Sequence, residues 1–243
     1  MIRSALAAAT AVALSLPASA QELTEEQIKV LVYEAIMENP QIVMDAVDAL
    51  RAQEEAEMAE AAAAAMAEQA ELLYDDPLAP VLGNPDGDVV LVEFFDYNCP
   101  YCKRAAQTVE ALVEADANLK VVFREWPILG EGSVVASRAS LAAREQGSEL
   151  YDAFHFALMN APGRLDEGRV MQIAGEVGLD VDRLSEDMAG DAVDAHIEGS
   201  RQLAEALGIN GTPAFVVGDT LVPGAVPVDE LIGLIASKRD DNG

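Results

Sequence analysis

The sequence predicts an α/β domain with an inserted helical subdomain, preceded by an extended α-helical N-terminal stalk. Three observations predict this. Two runs rich in β-branched and aromatic residues, 89–95 and 119–126, flank a helical segment, 103–114, which makes a strand–helix–strand unit with parallel pairing and a right-handed crossover. Residues 133–208 carry helical apolar spacing broken only by Gly147, Pro162-Gly163, Gly178 and Gly190, so a helical block interrupts the α/β pattern. Residues 51–71 shift sharply to Ala, Glu, Met and Gln, with high helix propensity and few side chains large enough to build a core.

Taken in order, residues 1–20 read as a secretory leader. Arg3 supplies the positive end, 4–16 the apolar stretch and Ala18-Ser19-Ala20 the small-x-small cleavage pattern. Cleavage after Ala20 and a bacterial periplasmic location are expected. No later run reaches the roughly 18 apolar residues of a membrane span. The chain is strongly acidic, with 43 Asp and Glu against 15 Lys and Arg and a net charge of −28. Such a surface repels nucleic acid and anionic lipid.

Residues 21–76 form the expected stalk. Thr24-Glu25-Glu26-Gln27 fits a capping box. Ile28, Leu31, Val32, Ala35 and Ile36 give one apolar stripe, Asn39-Pro40 breaks the helix and restarts it, and Ile42, Val43, Ala46, Val47 and Leu50 continue the apolar face. A single helix from Pro40 to Tyr74 would span roughly 50 Å at about 1.5 Å per residue. A helix of that shape rarely folds back on a small domain, and the stripes need a partner. Self-association through 21–76 is therefore expected over a solvated spacer.

Asp75-Asp76-Pro77 to Pro80 closes the stalk, and the compact domain is drawn as residues 77–239. Asn84-Pro85-Asp86-Gly87-Asp88 is a turn before the main strand. Helices are expected over 134–146, 149–160, 167–177, 181–188 and 191–207, as the insertion of about 133–208. A strand at 214–217, a hairpin through Gly218-Asp219 and a closing helix at 228–238 follow, with a disordered tail from Arg239.

The chemistry concentrates at Cys99-Pro100-Tyr101-Cys102, which holds both cysteines of the chain. A Cys-x-x-Cys pair between a strand and a helix sits where free N–H groups and the helix dipole stabilise a thiolate. A disulfide closing so small a loop constrains the unfolded chain little, which favours exchange chemistry over a structural staple. Glu93 interrupts an apolar strand six residues before Cys99. If buried, its carboxyl should have a raised pKa; the alternative is a strand-end glutamate reaching solvent. Lys103 and Arg104 either lower the cysteine pKa or are solvated helix cations. His155 and His196 lack zinc-site spacing and read as ordinary helix residues, and Met58, Met66 and Met159 form no copper cluster. No cofactor and no metal site is expected.

The words Val92-Glu93-Phe94-Phe95-Asp96-Tyr97-Asn98-Cys99-Pro100-Tyr101-Cys102-Lys103-Arg104 and Gly211-Thr212-Pro213-Ala214-Phe215 occur in the order of the thioredoxin superfamily. Over about residues 81–238 the chain resembles its DsbA-like branch. With the acidic helical N-terminal region it is similar to the oligomeric DsbA-like proteins of the suppressor of copper sensitivity protein C type. The resemblance implies a thioredoxin fold, Cys99 as an exposed nucleophile, Cys102 as the more buried resolving thiol, and a reversible Cys99–Cys102 disulfide. It implies that Pro213 is a cis-proline facing the cysteines, and that the Thr212 backbone, with Pro100 and Tyr101, contacts the substrate peptide. It gives Glu93 the relay of the Cys102 proton. Tyr101 stands where the strongest oxidants of the family carry histidine, which points to a less oxidising pair, and threonine before the proline points towards isomerase work.

The implied function is a periplasmic thiol–disulfide oxidoreductase, chiefly a disulfide isomerase or reductase acting on unfolded or misoxidised exported proteins and kept reduced by a membrane thiol reductase. The rivals are a plain disulfide oxidase recharged by a quinone-linked membrane partner, and a non-enzymatic thiol protein binding copper or another metal. A glutaredoxin shares Cys-Pro-Tyr-Cys but not the leader, the length or the helical insertion.

Overall fold

A computed structural model describes residues 23–241, so the expected leader lies outside the described residues. The described residues form two compact units, divided between Gln53 and Glu54.

In the first unit, helix α1 (Glu25–Glu38) opens with the Thr24 capping box: Thr24 Oγ1 accepts from the Gln27 N–H at 3.3 Å and Gln27 Oε1 accepts from the Thr24 N–H at 3.0 Å. Asn39 caps its end, and α2 (Gln41–Glu68) begins just past Pro40. Ile28, Val30, Leu31, Val32, Tyr33, Ile42, Val43 and Leu50 are all exposed. Helix α1 buries none of its own residues.

The second unit is built on a five-stranded sheet of β1 (Val81–Gly83), β2 (Val89–Phe95), β3 (Leu119–Glu125), β4 (Ala214–Val217) and β5 (Thr220–Pro223), in the order β1-β3-β2-β4-β5. The central β2–β3 pair is parallel, joined through α4 (Pro100–Ala115), and the other pairings are antiparallel. The insertion is α5 (Glu131–Ala143), a 3-10 turn (Arg144–Gln146), α6 (Ser148–Asn160), α7 (Glu167–Glu176), α8 (Val181–Asp187) and α9 (Asp191–Ala206). Alternation along β2 and β3 divides the core between the two faces of the sheet. Leu91, Phe95, Val121 and Phe123 pack with Cys102, Ala106, Val109 and the insertion, whereas Val92, Phe94 and Val122 pack with Ala62, Met66, Leu73 and Leu203.

The second of these clusters changes the expected stalk. The end of α2 and the short α3 (Ala70–Tyr74), separated by a break at Gln69, belong to the compact unit, which begins at Glu54 rather than near residue 77. Ala62, Met66 and Leu73 fall on one side of this alanine-rich segment and are buried. Three well-spaced apolar side chains suffice to dock a helix whose other positions are small.

The expected disordered tail is also corrected. Helix α10 (Val228–Asp241) runs past Lys238, because Arg239 donates to both carboxylate oxygens of Asp88 at 2.8–3.0 Å and to Asp116 at 2.8 Å. Two aspartates from separate turns thus anchor the last helical turn.

Candidate active site

Strand β2 runs straight into the turn that presents the cysteines. Asp96, fully buried, ties that turn together: its Oδ1 accepts from the Asn98 N–H at 2.7 Å, and its Oδ2 from the N–H groups of Ile128 and Leu129 at 2.8 and 2.9 Å. Asn98 continues the brace, exchanging both amide hydrogen bonds with the backbone of Leu165 at 2.6 and 3.1 Å. Gly132 permits this approach, since a Cβ there would run into the Leu165 carbonyl and crowd Asn98. The sequence reading gave Asp96 and Asn98 no role of their own. Their short side chains, which favour local backbone hydrogen bonds, were the available signal.

Cys99 is the N-cap of α4, with Pro100 at the first helical position. Its Sγ accepts from the Cys102 N–H at 3.4 Å and lies 3.3 Å from the Thr212 carbonyl oxygen. The two cysteines stand as free thiols. Cys99 was expected to be exposed; at 4 % exposure it is nearly enclosed, covered by the first turn of α4 and by Thr212. Enclosure supplies donors as well as cover. Hydrogen bonding from the Cys102 thiol, then from the Cys102 N–H, the Thr212 side chain and the Tyr101 N–H, outweighs burial and lowers the Cys99 thiol from 9.0 to about 5.

Cys102 is fully buried one turn on, and its thiol is pushed far up, by burial first, then by donating to Cys99 and by the Glu93 charge. One thiol is therefore an anion at neutral pH and the other holds its proton. Glu93 lies on the same sheet face, 1 % exposed, with Oε1 unpartnered. Burial, the Cys99 charge and the Glu125 charge raise its carboxyl from 4.5 to about 8.

The Thr212–Pro213 peptide is cis, and Pro213 is buried. Tyr101 is 57 % exposed, and the Arg104 guanidinium stacks over its ring at 4.3 Å. Lys103 instead donates to the carbonyls of Ala161 and Gly163 at 2.5 and 3.1 Å. The leading causes of the Cys99 shift are hydrogen bonds and burial, and neither cation is among them. An apolar groove of about 910 Å³ adjoins the site, lined by Thr212 and Pro213, by Met58 and Ala62 of α2, and by Leu221 of β5.

Both histidines lie within helices, and both are buried. His155 sits among Phe95, Phe123 and Tyr151, with Nδ1 2.8 Å from the Tyr97 hydroxyl; burial lowers it to about 3, so it is neutral. His196 Nε2 lies 2.7 Å from Glu125. Among the described residues no three His, Cys, Asp or Glu side chains gather as a metal site, and the two cysteine sulfurs are soft donors at this site.

Residues 90–236 match the DSBA-like thioredoxin domain, and residues 25–57 match the copper resistance protein ScsC N-terminal domain. A thioredoxin-like oxidoreductase from Silicibacter pomeroyi DSS-3 is 56 % identical, covering 70 % of this chain and 97 % of that one, with a TM-score of 0.68. Proteus mirabilis ScsC in a transitional conformation is 31 % identical over 89 % of this chain and 97 % of its own, with a TM-score of 0.68. Disulfide bond formation protein D of Bacillus subtilis is 25 % identical over 162 residues, 63 % of this chain and 73 % of that protein. Several Na(+)/H(+) antiporters NhaA also match; in the one from Salinispora arenicola, 28 % identical over 159 residues, the match spans 24 % of that protein's length. With its cysteine pair on a thioredoxin sheet and two family domains in order, the chain belongs to the DsbA-like thioredoxin family, among thiol–disulfide oxidoreductases of the DsbA and ScsC type.

Proposed function

We propose that this protein is a periplasmic disulfide isomerase or reductase acting on unfolded or misoxidised exported proteins. The observation that carries the exchange chemistry is the contrast between Cys99, ionised above about pH 5, and Cys102, whose thiol keeps its proton. The Cys99 thiolate attacks a client disulfide, one client sulfur leaves, and a mixed disulfide forms. Cys102 then passes its proton to the Glu93 carboxylate and attacks the Cys99 sulfur. The second client sulfur leaves, so the client gains two electrons and the Cys99–Cys102 pair loses them. Isomerisation follows when a second client thiol displaces Cys99 before Cys102 closes.

The Thr212 backbone, Pro213, Pro100 and Tyr101 are the surface for the client strand, and the adjoining apolar groove suits an unfolded segment. The exposed apolar residues of α1 and of α2 up to residue 50 are the self-association face. Several active sites facing one client favour isomerisation, and a membrane thiol reductase would keep the pair reduced. The leader-like residues 1–20 support the periplasmic address.

One observation favours a second reading. A nucleophile ionised from about pH 5 stabilises the dithiol and makes the disulfide more oxidising, which suits an oxidase recharged by a quinone-linked partner. Trapping the cysteines in whole cells with an alkylating probe tests the direction: a reduced pair supports the isomerase or reductase, and an oxidised pair supports the oxidase.

A further inference from the structure

A group of buried ionisable side chains lies beyond the cysteines and Glu93. In the parallel register Glu93 faces Phe123, and Glu125 is the next residue of β3 on that sheet face. Glu125 is fully buried; its Oε2 lies 2.7 Å from His196 Nε2, and neither carboxylate oxygen has a further partner. His196, equally buried on α9, turns its Nδ1 towards Asp76 Oδ2 at 3.8 Å, with no hydrogen bond there. Asp76 is in turn paired with Arg124 at 2.6 Å. One imidazole thus stands between two carboxylates, a costly arrangement in a core unless a proton is shared within it.

We propose that Glu125 and His196 form a buried proton-holding pair that acts through Glu93 on Cys102, as positioning residues of the exchange reaction. The proposal rests on the reading of Glu93 as acceptor of the Cys102 proton. In the mixed disulfide the Cys99 charge is gone, so of the influences that raise Glu93 only burial and the Glu125 charge remain. Tyr97 and Tyr151, which also face Glu125, are held protonated by burial. Arg124 is committed to Asp76. How much of the Glu125 charge Glu93 feels therefore depends on His196.

The test follows the full chain reacting with oxidised glutathione. The second phase, release of glutathione as Cys102 closes the disulfide, is measured against pH. The rate should rise as Glu93 ionises. Glu125→Gln should move the midpoint of that rise down by about one pH unit, a tenfold change in proton concentration. His196→Gln should also move it, and the double variant should move it by less than the sum. Wild-type midpoints in Glu125→Gln and His196→Gln, with the rise abolished in Glu93→Gln, overturn the pair while leaving the reading of Glu93 standing. A rise that survives Glu93→Gln overturns both. If a variant does not fold, carboxyl NMR of the wild type decides: coupled two-step titration of Glu93 and Glu125 supports the pair, and independent single steps overturn it.

Discussion

The carbonyl oxygen of Thr212 lies 3.3 Å from the sulfur of Cys99, although 113 residues separate them in the chain. Strand β4 thereby brings the residue before Pro213 onto the helix N-terminus that carries Cys99. The Thr212 side chain also hydrogen-bonds to the sulfur and helps lower its pKa. Alkylation of Cys99 by iodoacetamide should therefore rise with a midpoint near pH 5, and Thr212→Val should move that midpoint upward. Because the folded pKa is depressed, the Cys99 contribution to stability of the reduced protein is full above its ordinary 9.0. It is lost as pH falls towards about 5. A wild-type midpoint near the ordinary thiol value would sink this account.

Glu93 makes the opposite kind of contribution. Its carboxyl is raised from 4.5 to about 8, so its share of stability is full below 4.5 and is lost as pH rises through 8. Glu93→Gln keeps a neutral side chain at every pH. Thermal unfolding of the variant should lack the fall in stability between pH 4.5 and about 8, while its Cys102 closure slows by about a hundredfold, the lower end for general acid–base work. Equal closure rates in variant and wild type would remove Glu93 from the reaction.

The ion pair of Arg124 and Asp76 is buried on both sides, at 0 % and 6 % side-chain exposure. Two further guanidinium nitrogens of Arg124, Nε and Nη2, are unpartnered. Asp76→Ala would leave a buried cation alone, so urea unfolding should show a loss of about 3–5 kcal/mol. Removal of the exposed pair between Lys29 and Glu25 should change stability by less than about 1 kcal/mol.

Much of this architecture was legible in the sequence, for reasons tied to particular residues. The apolar run of β-branched and aromatic residues and the turn at Asn84 to Asp88 define β2 to within its observed ends, and glycine breaks mark the insertion helices. The cysteine motif fixes the chemistry because thiolate stabilisation needs only a local helix start. Non-local relations were not legible. The enclosure of Cys99 depends on β4, the partnership of His196 with Glu125 joins α9 to β3, and Arg239 finds aspartates at 88 and 116. No spacing rule encodes such meetings. The docking of α2 and α3 was hidden for another reason: Ala62, Met66 and Leu73, with Ala65, Leu72 and Tyr74 beside them, carry it within a composition that otherwise reads as solvated helix.

That docking decides how the N-terminal region should be separated from the redox domain. A chain beginning at Val81 would lose Met66 and Leu73, which are 2 % and 0 % exposed, together with Asp76, the partner of Arg124. It should be destabilised by several kcal/mol, at about 2–5 kcal/mol for each large core side chain removed. A chain beginning at Glu54 keeps these contacts and should unfold at nearly the wild-type urea concentration, with an unchanged Cys99 alkylation profile. It lacks the exposed apolar residues of α1 and early α2, and should sediment as a monomer where the full chain sediments as an oligomer. Scrambled-ribonuclease reactivation then tests the stalk without the confusion of a damaged core. Isomerisation should fall at least severalfold in the chain from Glu54 while its simple thiol exchange with glutathione persists. Equal isomerisation by the two chains would show that each active site works alone.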